Sequence, residues 1–246
     1  MKKLFVIPAF LFTTASTYSQ QKKDSTERGW HVSAMVRATS NGISNIPAFS
    51  LKKPALLVYL TIKNNRFTYE PQMAYSFSGT PWFMNNWFRY RIIQHNNFVL
   101  RTGATWTLSF QKYITPQNEI TRVYPYLALE AASTCIFSGQ SSLTLGYWYE
   151  HGFESGSLKT IHYLFLVEDL IIGLRKGFYI EALPQIFYLN LGTSGDGLFG
   201  SAIVGLKHKK IPLALSLQIN DPLTTAFSPS PEFAWNVSLA WYINNR

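Results

Sequence analysis

Residues 233–243 read FAWNVSLAWYI, and this stretch limits what the chain can fold into more than any other feature. Phe233, Trp235, Val237, Leu239, Trp241 and Ile243 take every second position, with Ala234, Asn236, Ser238, Ala240 and Tyr242 between them. A period of two is the pattern of a β-strand with two unlike faces. One face carries two tryptophans and three branched aliphatics; the other is small or polar. A sheet wetted on its polar face and packed on its greasy face fits this pattern poorly at such bulk. A sheet standing in hydrocarbon fits it well, provided that its strands close so that every backbone N–H and C=O is paired.

The same alternation recurs along the chain in about twelve segments bounded by turn residues. They cover 30–39, 55–63, 67–77, 82–93, 98–110, 122–136, 142–150, 160–170, 178–189, 198–207, 211–220 and 233–243. The connections alternate as well. KNNR, QHNN, SGQS, RKG and HKK are short; SNGISNIPAFSLKK, QKYITPQNEIT, HGFESGSLK, LGTSGDG and NDPLTTAFSPSP are longer, and only SGTP breaks the rule. An even number of strands with short turns at one end and longer loops at the other predicts an all-β fold, a single up-and-down antiparallel transmembrane β-barrel.

Composition agrees. Charged residues are 14% of the 246, well below the roughly 25% of ordinary soluble domains. The formal charge of +9 comes without a dense Lys/Arg run or a nucleic-acid motif, so the expected partner is outer-membrane lipid rather than nucleic acid, with other outer-membrane or periplasmic proteins as further partners. Lys2 and Lys3, the apolar run LFVIPAFLF and the small residues TTAS predict a secretory signal peptide over 1–19. A polar tail over 20–28 and one barrel domain over 29–246 complete the organisation. Cys135 is the lone cysteine, so no internal disulfide supports the fold.

Lipid imposes a parity on charge, because an outward Lys or Arg at mid-bilayer costs about 2–4 kcal/mol. On that rule Arg37, Glu70, Arg89, Arg91, Arg101, Arg122, Glu130, Glu150, Glu168 and Glu181 point inward, as does His162, and form a charged network lining the lumen. Asp169 takes outward parity beside Glu168 and calls for a local irregularity. Pro71, Pro125 and Pro184 lie within strands, where each removes a ladder hydrogen bond, and bulges or kinks are expected there.

Chemistry is sparse. Ser40-Asn41-Gly42 is similar to part of the outer-membrane phospholipase A motif, but the histidine of that motif is replaced by Ala38, and His31 lies nine residues upstream. The base that would activate the serine is missing. Glu150, His151, Glu154 and His162 flank one hairpin, with mixed parity that suits rim residues better than a metal site. No metal and no cofactor is expected.

Signal peptide, alternating strands, unequal loops and an aromatic last strand together resemble the small Gram-negative outer-membrane β-barrel proteins, over the whole mature chain. Such barrels usually end in an aromatic residue that assembly machinery recognises; here Asn244, Asn245 and Arg246 follow. The resemblance implies a non-enzymatic integral outer-membrane protein, either a structural or accessory subunit with an ion-paired lumen or a narrow pore for small solutes. The alternative is a barrel-borne lipid hydrolase, for which Ser33, Ser40 and His31 are the residues to change.

Overall fold

The computed structural model describes residues 29–114, 119–138, 140–228 and 230–244. The expected signal peptide and polar tail lie outside the described residues. Twelve strands follow one another: β1 (Trp30–Thr39), β2 (Ala55–Asn64), β3 (Phe67–Ser76), β4 (Pro81–Gln94), β5 (Phe98–Ile114) and β6 (Glu119–Ser138), then β7 (Ser141–Gly152), β8 (Thr160–Gly173), β9 (Phe178–Asn190), β10 (Asp196–His208), β11 (Leu213–Thr225) and β12 (Ala234–Asn244). Each pairs antiparallel with its neighbours in sequence, and β12 returns to β1 to close the barrel. At that seam Arg37 stands opposite Ala240 and Thr39 opposite Ser238.

The outer wall is apolar. Phe88, Leu145, Leu217, Leu239 and Trp241 all face outward, and Leu215 keeps 53% of its surface exposed. Water would not tolerate a continuous wall of this kind, and hydrocarbon does. No helix among the described residues is long and apolar enough to cross a membrane; strands make the crossing. The short turns and the described ends of the chain share one end of the cylinder, and the longer connections gather at the other, the outer end of this topology.

The prolines act differently from expectation. Pro71, Pro125 and Pro184 stand in unbroken register opposite Asn86, Leu108 and Ala202. In an antiparallel strand each residue points both N–H and C=O at one neighbour, so a proline removes a single rung on a single side. Pairing between β2 and β3 skips Leu60 and Thr61, and pairing between β8 and β9 skips Glu168 and Asp169. Pro125 faces β7 just past its last paired residue, where its carbonyl accepts from Phe153 N–H at 3.2 Å. The register shifts fall elsewhere, at Ala74/Tyr75, Arg91/Ile93, Ile136/Ser138 and Leu198/Phe199. Two of these lie opposite other prolines, Pro81 and Pro222.

The inner side of β6, β8, β9 and β10 is also apolar. Tyr124, Tyr126, Ile161, Tyr163, Phe165, Phe187, Leu189 and Phe199 form a core inside the barrel, with Ile46 from the β1–β2 connection inserted among them. This core corrects the phase of β8. Ile161, Tyr163, Phe165 and Ile171 are buried inside while Leu164 and Leu166 are exposed outside, which turns Asp169 inward and Glu168 outward. His162 also faces out, where Tyr147 Oη lies 2.7 Å from its Nδ1. Both faces of β8 are greasy, so its charged residues alone mislead about direction.

Candidate functional site

The lumen is organised around Glu130 on β6. Its side chain has 0% exposure. It accepts from Arg89 Nε at 3.1 Å and Nη2 at 2.9 Å, from Arg101 Nε at 2.6 Å and from Trp148 Nε1 at 2.9 Å. Arg89 makes a further ion pair with Glu70 on β3. Inward parity on β3, β4, β5, β6 and β7 thus delivers Glu70, Arg89, Arg101, Glu130 and Trp148 to one depth. A carboxylate inside a barrel is costly unless its charge and lone pairs are matched, and Glu130 is matched by two guanidinium groups and an indole.

Aromatic rings extend this knot across the lumen. The Arg89 guanidinium lies 4.2 Å from the Trp87 ring centroid, a cation–π distance. Trp87 packs on Trp148 at 5.0 Å between centroids, and Trp148 on Tyr163 at 5.1 Å. Phe165 fills the space above Gly146, where a Cβ would lie only 2.1 Å from its ring. Glycine at 146 is therefore what lets the ring lie over the neighbouring strand β7 on the inner wall.

On the outer side of the knot is a vestibule of about 790 Å³. The β1–β2 connection folds into it: Asn45 Nδ2 donates to Gln72 Oε1 at 2.5 Å, and Ile43 bridges to Ser50. Asn236 of β12 anchors the start of this connection. Its Oδ1 accepts from Thr39 Oγ1, from Ser40 Oγ at 3.2 Å and from Asn41 N–H at 3.0 Å. Gly42 turns the chain at φ +56, with room for no more than hydrogen beside Leu51 and Ala55. Glu150 and Asn220 line the vestibule. On the inner side is a smaller cavity of about 290 Å³ between Met35, Tyr59, Glu70, Gln72 and Tyr242.

The ten charged positions singled out from sequence therefore have different fates. Glu70, Arg89, Arg101 and Glu130 converge. Arg37 lies inside, 5.5 Å from the Tyr59 ring, and Arg122 lies 5.5 Å from Tyr113 towards the outer end. Arg91 donates to the Asn65 carbonyl at an inner turn. Glu181 forms a second ion pair with Lys207, and Asp169 feels the charge of both. Glu150 stands apart in the vestibule. Glu168 departs from expectation altogether, facing out beside Leu143, Leu166 and Ile186. Trp148 was missed by sequence reasoning, although outward Tyr147 and Tyr149 on either side imply its direction.

The hydrolase residues do not assemble. Ser40 Oγ is held by Asn236 and by Val237 N–H at 3.0 Å. His31 sits nine residues away at the other end of β1, roughly 30 Å at about 3.3 Å per residue. Nor do Glu150 and His162 meet, since one points in and the other out; among the described residues no three His, Cys, Asp or Glu side chains gather as a metal site.

Solved structures with the same architecture exist. A KdgM porin in complex with disordered oligogalacturonate superposes with a TM-score of 0.56 at 12% identity, covering 85% of this chain and 98% of that one. An outer membrane channel from Pseudomonas putida F1 gives a TM-score of 0.53 at 13% identity, covering 92% and 98%. No family model matches the chain. No curated protein matches it by sequence. At these identities the likeness establishes the fold, a closed antiparallel transmembrane barrel of the outer-membrane type.

Proposed function

We propose that the protein is a non-enzymatic barrel of the bacterial outer membrane whose lumen is shut at mid-depth, so that it serves in the envelope as a structural or binding subunit rather than as an open pore. One observation carries this reading: the fully buried Glu130, tied to Arg89, Arg101 and Trp148 and extended by stacked rings. Opening a passage there would separate buried charges from their partners, which costs about 3–5 kcal/mol for a single broken pair. Twelve strands lie midway between the eight that side chains fill completely and the sixteen of aqueous channels, so the closure rests on what fills the lumen and not on strand number.

Conduction is the competing reading, since a porin and a channel share the fold. Purified protein reconstituted in planar lipid bilayers separates the two. A closed lumen gives silent membranes at all applied voltages; steady, reproducible unitary currents from the unaltered protein would overturn the proposal.

A further inference from the structure

The outer vestibule contains two polar groups that its own walls leave unanswered. Asn220, on β11, is only 2% exposed, and its Oδ1 has no hydrogen-bond partner. Glu150, on β7, makes no hydrogen bond or ion pair with any described residue, although Arg89 and Arg101 pair with other acids elsewhere in the lumen. Both groups line the same cavity. A buried acceptor without a donor costs about 1–3 kcal/mol, so Asn220 asks for an occupant that supplies a donor, and the half-buried Glu150 offers a further acceptor in the same cavity.

The remaining walls define the rest of that occupant. Lys52 and Glu232 face each other 3.8 Å apart at the exposed rim and offset one another. Among the described lining residues Glu150 is then the acid without a counter-ion, a carboxyl group that faces the cavity with no basic partner. Trp148, Tyr126 and Phe49 supply aromatic faces, which attract cations as well as apolar groups. Asn85 and Asn220 add amide groups at the cavity wall. A volume of about 790 Å³ falls within the roughly 300–1,000 Å³ of small-molecule sites, where a mostly apolar lining and a few polar groups fix orientation.

We infer that the vestibule is a binding site for a small organic ammonium ion with an apolar or aromatic body. Glu150 receives the ammonium group, the rings of Trp148 and Tyr126 cover the body, and Asn220 Oδ1 takes a second donor of the ligand. Polyanions are excluded by the same charge. The inference uses the vestibule and not the closure below it, so it stands or falls separately from the non-conducting reading.

The test uses folded full-length protein in dodecyl maltoside micelles and three probes of nearly equal shape: 2-phenylethylammonium, 2-phenylethanol and phenylacetate. Binding is followed by quenching of tryptophan emission and by calorimetry. The cation binds at least about tenfold more tightly than the alcohol, as a charged hydrogen bond in a desolvated site requires, and the anion is weakest. Glu150→Gln abolishes the preference for the cation while leaving alcohol binding in place; Asn220→Asp increases it. Heat-modifiable gel mobility verifies that each variant is folded, and the three-probe comparison on the unaltered protein decides the matter even if a variant fails to fold. Equal binding of the three probes, a preference that survives Glu150→Gln, or no binding by any probe overturns the inference.

Discussion

Replacing Glu130 with alanine is the most direct test of how the lumen is held. The side chain accepts at 2.6–3.2 Å from Arg89, Arg101 and Trp148, and it is fully buried. Its removal strands two guanidinium groups in a space that water does not easily reach. Breaking a buried pair from one side costs about 3–5 kcal/mol, and here one carboxylate serves two cations, which sets the expectation at the upper end. Glu70 is the internal control. It pairs with the same Arg89, but 25% of its side chain is exposed and Arg89 retains Glu130 when it is gone. Solvent screening and the surviving partner reduce the expected loss for Glu70→Ala to about 1 kcal/mol. Urea unfolding of the barrel refolded into lipid vesicles, read by tryptophan fluorescence, compares the two at equal slope. If Glu130→Ala lies within about 1 kcal/mol of the parent, or if Glu70→Ala costs more, then the knot is not what fastens the lumen.

Asn236→Ala removes the acceptor shared by Thr39, Ser40 and Asn41, and the expected loss is about 1–3 kcal/mol, concentrated at the outer end of the seam. Hydrogen exchange at Val237, whose N–H donates to Ser40 Oγ, should accelerate before that of β6, and uniform exchange throughout would count against the clamp. Glu168→Leu replaces an outward carboxylate on the lipid side and should stabilise the barrel by about 1–2 kcal/mol in vesicle unfolding. A loss of stability would mean that Glu168 is engaged in the membrane.

Much of the architecture was legible because lipid enforces a strict rule. On β3, β5 and β12 the outward positions are mostly large and apolar and the inward ones mostly small, polar or charged, so alternation alone gives direction; on β4 the same direction holds although Phe83 and Trp87 are buried inside. It failed on β8, where Tyr163 and Phe165 look inward as greasily as Leu164 and Leu166 look outward. With two apolar faces, Glu168 and Asp169 were the remaining guides, and adjacent charges must take opposite sides. The interior aromatic core was invisible for the same reason: a residue's type does not reveal whether hydrocarbon or another ring is its neighbour. Of the site, the Glu70–Arg89 contact followed from adjacent strands, whereas convergence of Arg101 and Trp148 on Glu130 depends on barrel curvature, which no local pattern encodes.

The meeting of β1 and β12 has a consequence for biogenesis. These two ribbons are separated by nearly the entire polypeptide, yet only their union satisfies the amides along each of them. Any shorter product would present two raw borders to the acyl chains, where nothing can hydrate them. Insertion must therefore await the arrival of the final ribbon, and a nascent chain halted before Ala234 has no stable resting place in the bilayer.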